Sequence, residues 1–528
     1  MATAQSSNKK NNIERPKLVV GIVIDQMRWD FLYRYYDRYS NDGFKRFLNK
    51  GFTAQNCFIP YIPTYTAPGH ASIFTGSVPA IHGITGNSFY DRITGKYFNN
   101  VDDSTVTGVG TTSKGGLMSP RNLLATTIGD QLRIASNFKS KVIGISIKDR
   151  GAILPAGHAA NAAYWLDGNK NNYITSSYYM NALPKWVQDF NNRKVADSFY
   201  QYDWNTLYPI ETYTQSAKDD SPYEDGKHLN GIVFPHVLKG FAGKDALNIT
   251  YTPYGINHTL MMSKAAIENE KLGQRNETDM LCISISPTDY IGHDFGPNSV
   301  EIEDVYLRLD LQLADFFGYL DKQVGKNNYT VFLTADHGVT NAPQFDTLNK
   351  LPGGTFYDDV TRDKLNAAFK QKYGIDKAVK TILNYQVFIN EKKLTETFTA
   401  DECKQFALEF LNKQPEISFA FDLEKTNTAT MPQRIKEFVN NGYFANRSGD
   451  IQLILKPGFF DGWGKGTSHG VWNTYDSHIP MLFYGWGIRP GKTNRETYIT
   501  DFAPTISSLL HIQMPSGSIG KVIEEALR

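Results

Sequence analysis

Residues 18–25 read LVVGIVID. Seven apolar residues, most of them Val or Ile, end on a single acid. A run this short and this uniformly apolar fits a strand buried on both faces, the pattern of a parallel sheet covered by helices. The pattern recurs at 142–147 (VIGISI), 281–285 (LCISI), 329–333 (YTVFL), 451–455 (IQLIL) and 479–483 (IPMLF), each a candidate buried parallel strand. Helical segments lie between them. Residues 299–320 space their apolar residues at near-helical intervals, and 502–510 carries Pro504 where a first turn tolerates it. The alternation predicts an α/β fold: a doubly wound, mostly parallel sheet flanked by helices. Two stretches, near 152–275 and 340–445, fit the alternation poorly and are read as inserted cap segments. The expected organisation is a disordered tail, 1–14, and a single domain, 15–528.

Composition narrows the function. The 528 residues carry 55 Lys+Arg against 54 Asp+Glu, a net charge of +1, so bulk charge gives no reason to expect nucleic acid or an acidic membrane as partner. The 41% hydrophobic and 21% charged residues are ordinary for a folded protein. Three cysteines, Cys57, Cys282 and Cys403, form no C-x-x-C and allow at most one disulfide. No apolar run reaches the ~18 residues of a membrane span. The first fourteen residues, MATAQSSNKKNNIE, lack the apolar core of a signal peptide.

The informative residues follow the strands. Asp25 ends the first run. Lys148 and Arg150 follow the second, Asp289 and His293 the third, Asp336 and His337 the fourth; His469 lies in the glycine-rich GKGTSHG. Open α/β sheets bind ligands outside the carboxyl ends of their strands, so these side chains are delivered to one edge. A lone Asp after a strand is usually a turn former or helix cap; the joint occurrence is what argues for metal. Asp289 and His293, at i and i+4, share a helix face. Asp and His without Cys form a mixed oxygen–nitrogen set that suits zinc better than calcium or magnesium. Six candidates (Asp25, Asp289, His293, Asp336, His337, His469) are too many for one catalytic zinc and fit two. In PYIPTYTAPGHASIFTG, residues 60–76, a hydroxyl at the helix start would meet backbone N–H groups and the helix dipole. Thr64, Thr66 and Ser72 are candidates, and spacing does not choose among them. Thr66 is read as standing just before the helix, where it would also serve as an N-cap.

Taken together, VIDQMRWD, TYTAPGHASIFTG, HGITGNSFYD, SIKDRGAILPAGH, SPTDYIGHDFG, TADHG, GTSHG and the closing DFAPTISSLL resemble the alkaline phosphatase superfamily. The likeness is nearest to its bacterial monoesterase branch with a threonine nucleophile, the PafA-like alkaline phosphatases, and covers nearly the whole chain. The resemblance implies two Zn2+ ions. Asp25, Thr66, Asp336 and His337 would hold the one that activates the nucleophile; Asp289, His293 and His469 would hold the one facing the leaving group. Asn87, Lys148 and Arg150 would bind the other phosphoryl oxygens. The implied reaction is hydrolysis of small phosphate monoesters through a phosphothreonine, releasing inorganic phosphate. The implied setting is a periplasmic or secreted monomer with no membrane span and no nucleic-acid partner.

The alternative is a phosphodiesterase or nucleotide pyrophosphatase on the same fold, against which the Lys148–Arg150 pair argues. A sulfatase would need Cys or Ser in C/S-x-P-x-R, which TAPGH lacks. A mutase-like metalloenzyme shares parts of the metal set, and a non-catalytic zinc-stabilised binding protein would hold metal without turnover. His70, His82 and His478 are expected in structural roles, with Asp149 and Asp294 supporting their neighbours. GVGTTSKGG, near Gly108, is read as a flexible surface loop.

Overall fold

The computed structural model describes residues 13–168, 170–242, 246–395 and 398–528. The expected disordered tail therefore lies almost wholly outside the described residues. A ten-stranded sheet forms the body. Its order is Gly491–Tyr498, Phe52–Phe58, His478–Gly485, Tyr329–Thr334, Leu18–Ile24, Asp279–Ile285, Val142–Ser146, Ala162–Asp167, Asn172–Ser176 and Gly108–Val109. The five strands from Tyr329–Thr334 to Ala162–Asp167 are parallel. Every residue of Leu18–Ile24 and Asp279–Ile285 is buried, as runs without polar alternation require. Burying one such Val, Ile or Leu side chain contributes about 1.5–3 kcal/mol, so register errors here are costly.

Three expectations need correction. The 479–483 run is a strand of this sheet, but His478–Gly485 pairs antiparallel with both Tyr329–Thr334 and Phe52–Phe58. The 451–455 run belongs to a different sheet. Ile451–Leu455 lies between Gln386–Ile389 and Ile417–Asp422 in a four-stranded antiparallel sheet completed by Val379–Leu383. That sheet has its own core, where Leu453 joins Leu365 and Phe369 of helix Asp358–Tyr373 and Cys403 and Leu411 of helix Ala400–Leu411. Burial makes a run apolar; it does not state the direction or identity of its partners. Finally, the Gly108 segment is no free loop: Gly108–Val109 adds an edge strand to the main sheet.

Ala162–Asp167 and Asn172–Ser176 extend the main sheet, and helix Pro253–Glu270 packs into its core through Ile256, Met262 and Ile267. Helix Val300–Leu320 starts where Ser299 caps it, its hydroxyl accepting from the Ile302 N–H. Helix Phe502–Leu509 carries Pro504 in its first turn. Cys57, Cys282 and Cys403 are free and buried. No helix among the described residues is long and apolar enough to cross a membrane.

Candidate active site

Four adjacent strands of the parallel centre deliver the chemistry. In sheet order they are Tyr329–Thr334, Leu18–Ile24, Asp279–Ile285 and Val142–Ser146, and at their carboxyl ends stand Asp336 with His337, Asp25, Asp289 with His293, and Lys148 with Arg150. Residues hundreds of positions apart meet because the strands that end on them are neighbours. The Asp25 N–H donates to the Ile285 carbonyl at 3.0 Å, tying two of these ends together. Asp289 and His293 share helix Pro287–Phe295, and one helical turn brings His293 Nε2 to 3.1 Å from Asp289 Oδ1.

Two ligand groups result. Asp289, His293 and His469 each offer an atom within 4.8 Å of the others, and so do Asp25, Asp289 and His337. Asp289 belongs to both. Asp336 is adjoining: its Oδ1 accepts from the Gln26 and His337 N–H groups, and His337 Nε2 lies 3.7 Å from Oδ2. The donor set fits metal on two counts. Asp25 Oδ1 and Asp336 Oδ2 are buried and accept no hydrogen bond, a costly state for a carboxylate oxygen. And each imidazole faces a carbonyl through Nδ1: His337 to Gly338 (2.9 Å), His293 to Thr467 (2.8 Å), His469 to Thr64 (2.8 Å). A carbonyl only accepts, so Nδ1 carries a proton and Nε2 is the nitrogen left to face inward, the arrangement a metal needs.

The three hydroxyls differ in contacts that spacing does not encode. Thr64 Oγ1 donates to the Val471 carbonyl at 2.9 Å, and Ser72 Oγ is engaged with His82 Nε2 at 3.0 Å. Thr66 Oγ1 lies 3.4 Å from His337 Nε2, at the ligand cluster. Thr66 is the first residue of helix Thr66–Thr75, not the residue before it; Tyr65 occupies the cap position. Thr66 does not cap the helix through its side chain. Asn87 lies beside it: its Oδ1 accepts the Ala67 N–H at 3.0 Å, which aims the amide nitrogen the other way as a donor.

The comparisons with known proteins fit this edge. The signature of the family described as type I phosphodiesterase / nucleotide pyrophosphatase matches residues 19–476. Alkaline phosphatase PhoV of Synechococcus elongatus is 52% identical over 530 residues, covering 100% of this chain and 96% of that protein. A Myroides odoratus protein named a calcium-transporting ATPase is 51% identical over 522 residues, covering 98% and 95%. Alkaline phosphatase PafA of Elizabethkingia meningoseptica is 48% identical over 527 residues, covering 99% and 96%. The PafA crystal structure superposes with a TM-score of 0.96 over 98% of this chain and 100% of that one. The chain belongs to the PafA-like alkaline phosphatases. It is a hydrolase of that group, on the group's α/β fold.

The charges of this alkaline phosphatase are strongly coupled. The Lys148 ammonium lies 2.7 Å from Asp25 Oδ2 and 2.5 Å from Asp289 Oδ2. Burial works against its charge, but the two carboxylates outweigh burial and raise its pKa. Burial also opposes the His337 cation, yet Asp336 and Asp25 push that imidazole up to about 9. His469 goes the other way, driven well down by burial and then by His337 and His293. Arg150 stays charged beside Asp149, its Nε buried without a partner and its Nη1 3.6 Å from Asp149 Oδ1.

Of the residues set aside, His70 Nδ1 lies 2.8 Å from the Thr66 carbonyl and 3.2 Å from Asp336 Oδ2, and Asp294 Oδ2 meets His228 Nδ1 at 2.7 Å. His478 Nε2 donates to the Gln55 carbonyl at 2.9 Å. Two residues escape a sequence reading altogether. Gln26 adopts φ +65° and links Asp336 to Asp289: its N–H meets Asp336, and its side-chain amide donates to Asp289 Oδ1 at 2.7 Å. Asp476 is fully buried and accepts the Gly470 and Val471 N–H groups, which fixes the loop carrying His469. Gln26 follows a candidate ligand directly, a weak signal; Asp476 has none.

Proposed function

We propose that this chain hydrolyses phosphate monoesters with two Zn2+ ions and Thr66 as nucleophile, releasing inorganic phosphate. The observation that carries the reading is the approach of the Thr66 hydroxyl to His337, at a helix N-terminus and beside two ligand groups that share Asp289. Asp25, Thr66, Asp336 and His337 would hold one ion; Asp289, His293 and His469 would hold the other. When bound, such ions supply Lewis acidity, lowering the pKa of the attacking hydroxyl and carrying charge on the departing oxygen.

The chain's own residues do the rest. Thr66 Oγ1 forms a bond to phosphorus as the ester P–O bond breaks; its proton passes to solvent, and the alcohol leaves with a proton from water. A water then cleaves the phosphothreonine, releasing inorganic phosphate and restoring the hydroxyl. Two in-line inversions give net retention at phosphorus. The transition state is loose, so positioning and charge dominate. Asn87 donates to one non-bridging oxygen, held for that by the Ala67 N–H on its Oδ1. Lys148 and Arg150 face another, and their two positive charges suit a dianionic monoester better than a monoanionic diester. Each such preorganised donor supplies on the order of 3 kcal/mol.

The test compares a zinc-loaded sample on an aryl phosphate and on the matching bis-aryl phosphate. Faster turnover of the monoester, abolished in Thr66→Ala, is expected; faster turnover of the diester would establish the phosphodiesterase alternative. We place this enzyme in the periplasm or medium, acting as a monomer, as its resemblance to bacterial alkaline phosphatases implies. The name calcium-transporting ATPase stays with the Myroides odoratus protein; cleavage of ATP would draw on the same residues.

A further inference from the structure

The two-residue turn Asn384–Tyr385 belongs to the outer four-stranded sheet, yet it touches the main site on two sides. It joins Val379–Leu383 to Gln386–Ile389, with Leu383 paired to Gln386. Both turn residues have positive φ, +56° and +60°. A hairpin turn of this shape favours Asn and then Gly. Asn384 suits the first position. Tyr385 stands where glycine is expected, a strained conformation for an aromatic residue and one that persists only where the surroundings enforce it.

What the turn touches gives the strain a use. Asn384 Nδ2 donates to the Ser88 carbonyl at 2.9 Å, and a Cβ added at Gly86 would come within 2.4 Å of the same nitrogen. Asn384 therefore hydrogen-bonds to one residue flanking Asn87 and packs closely against the other. Tyr385 is buried, and its hydroxyl donates to the carbonyl of His469 at 3.2 Å while accepting the Asp461 N–H at 3.1 Å. Its ring and that of Tyr65, the residue before Thr66, enclose Gly470. There a Cβ would meet Tyr65 at 2.6 Å and Tyr385 at 2.9 Å. The backbone of Tyr385 is fixed in turn: its carbonyl accepts from the Leu453 N–H at 2.8 Å and from Gln452 Nε2 at 3.0 Å.

We propose that Asn384 and Tyr385 are positioning residues for phosphoryl transfer: one turn, anchored in the outer sheet, sets the Asn87 amide and the His469 imidazole at a fixed separation. The outer sheet is then part of the catalytic apparatus. The inference rests on the roles proposed for Asn87 and His469, and the experiment separates the two.

Asn384→Gly keeps the turn's backbone preference and removes these side-chain contacts. Asn87→Ala removes the group it is argued to place. In zinc-loaded enzyme, Asn384→Gly is expected to lower kcat/KM for an aryl phosphate about tenfold, within the coupling range for residues acting through one another. In the Asn87→Ala background it is expected to change kcat/KM less than about twofold. Equal losses in both backgrounds, or no loss in the first, overturn the positioning claim. If Asn87→Ala is itself silent, the role proposed for Asn87 fails instead. Tyr385→Phe keeps the ring and deletes the hydroxyl. It should release one zinc of two in dialysis against a graded zinc buffer, with an unchanged melting temperature in excess zinc. Full retention of both ions overturns the His469 half. Should Asn384→Gly not fold, Asn384→Asp, which keeps the turn and removes the donor to the Ser88 carbonyl, takes its place in the same cycle with the same expected and overturning results.

Discussion

Gly69→Ala puts two physical effects in opposition. Gly69 lies inside helix Thr66–Thr75, where alanine is the better helix former by about 1 kcal/mol. On propensity alone the substitution stabilises. But a Cβ at this position would sit 2.3 Å from the Asp336 carbonyl oxygen and 2.6 Å from the Asp336 Cβ, where ordinary contact begins at 3.4 Å. Neither neighbour is the end of a flexible side chain. The helix bearing Thr66 must therefore retreat from the strand end bearing Asp336 by about 1 Å, and a misplacement of that size costs on the order of 10²-fold in rate. Overpacking also removes about 1–3 kcal/mol of stability, more than propensity returns. The assay is kcat/KM on an aryl phosphate in excess zinc, with a thermal melt of the same sample. The expected result is a loss of about 10²-fold with a lowered melting temperature. Full activity with a raised melting temperature would show that helix Thr66–Thr75 is not wedged against Asp336.

Other consequences are as direct. Lys148→Ala should reduce monoester turnover much more than diester turnover in parallel assays; equal losses would mean that the lysine acts through Asp25 and Asp289 rather than on substrate charge. Asp476→Asn replaces an acceptor of the Gly470 and Val471 N–H groups with a weaker one, and the affinity for one zinc should fall by about 10-fold or more in competition with a chelator. His258 is buried beside Tyr173 and Phe190, with its pKa pushed down to about 4 by burial and then by Arg193. Its folded-state pKa is depressed, so the unfolded chain binds the proton first. The stability due to its neutral form is present above about pH 6.5 and is lost as pH falls towards 4. Denaturant unfolding at pH 7 and 4.5 should show about 2 kcal/mol less acid-induced loss in His258→Leu than in the wild type; identical losses would contradict a neutral buried imidazole.

The parts of this molecule that could be read before folding are those set by local pattern. LVVGIVID carries its strand and its acid within eight residues, and the same holds around Asp289, Asp336 and Lys148, because a buried parallel strand must be apolar throughout and must end where polar residues begin. Direction and sheet membership were not legible: IQLIL and IPMLF look alike, yet one lies in the outer sheet and the other runs antiparallel in the main one. Nor did the sequence separate Thr66 from Thr64 and Ser72, since what distinguishes them is Val471 and His82 occupying the other two hydroxyls. Gln26 and Tyr385 were invisible for a related reason. Each is a non-glycine residue at positive φ, a conformation imposed by partners far away in the chain.

The central claim is a pair of metal ions flanking Thr66, and anomalous diffraction at the zinc edge from crystals of the zinc-loaded protein tests it without recourse to activity. Two peaks are predicted, one enclosed by Asp25, Thr66, Asp336 and His337 and the other by Asp289, His293 and His469. A single peak, or zinc bound away from the Thr66 hydroxyl, would contradict the account.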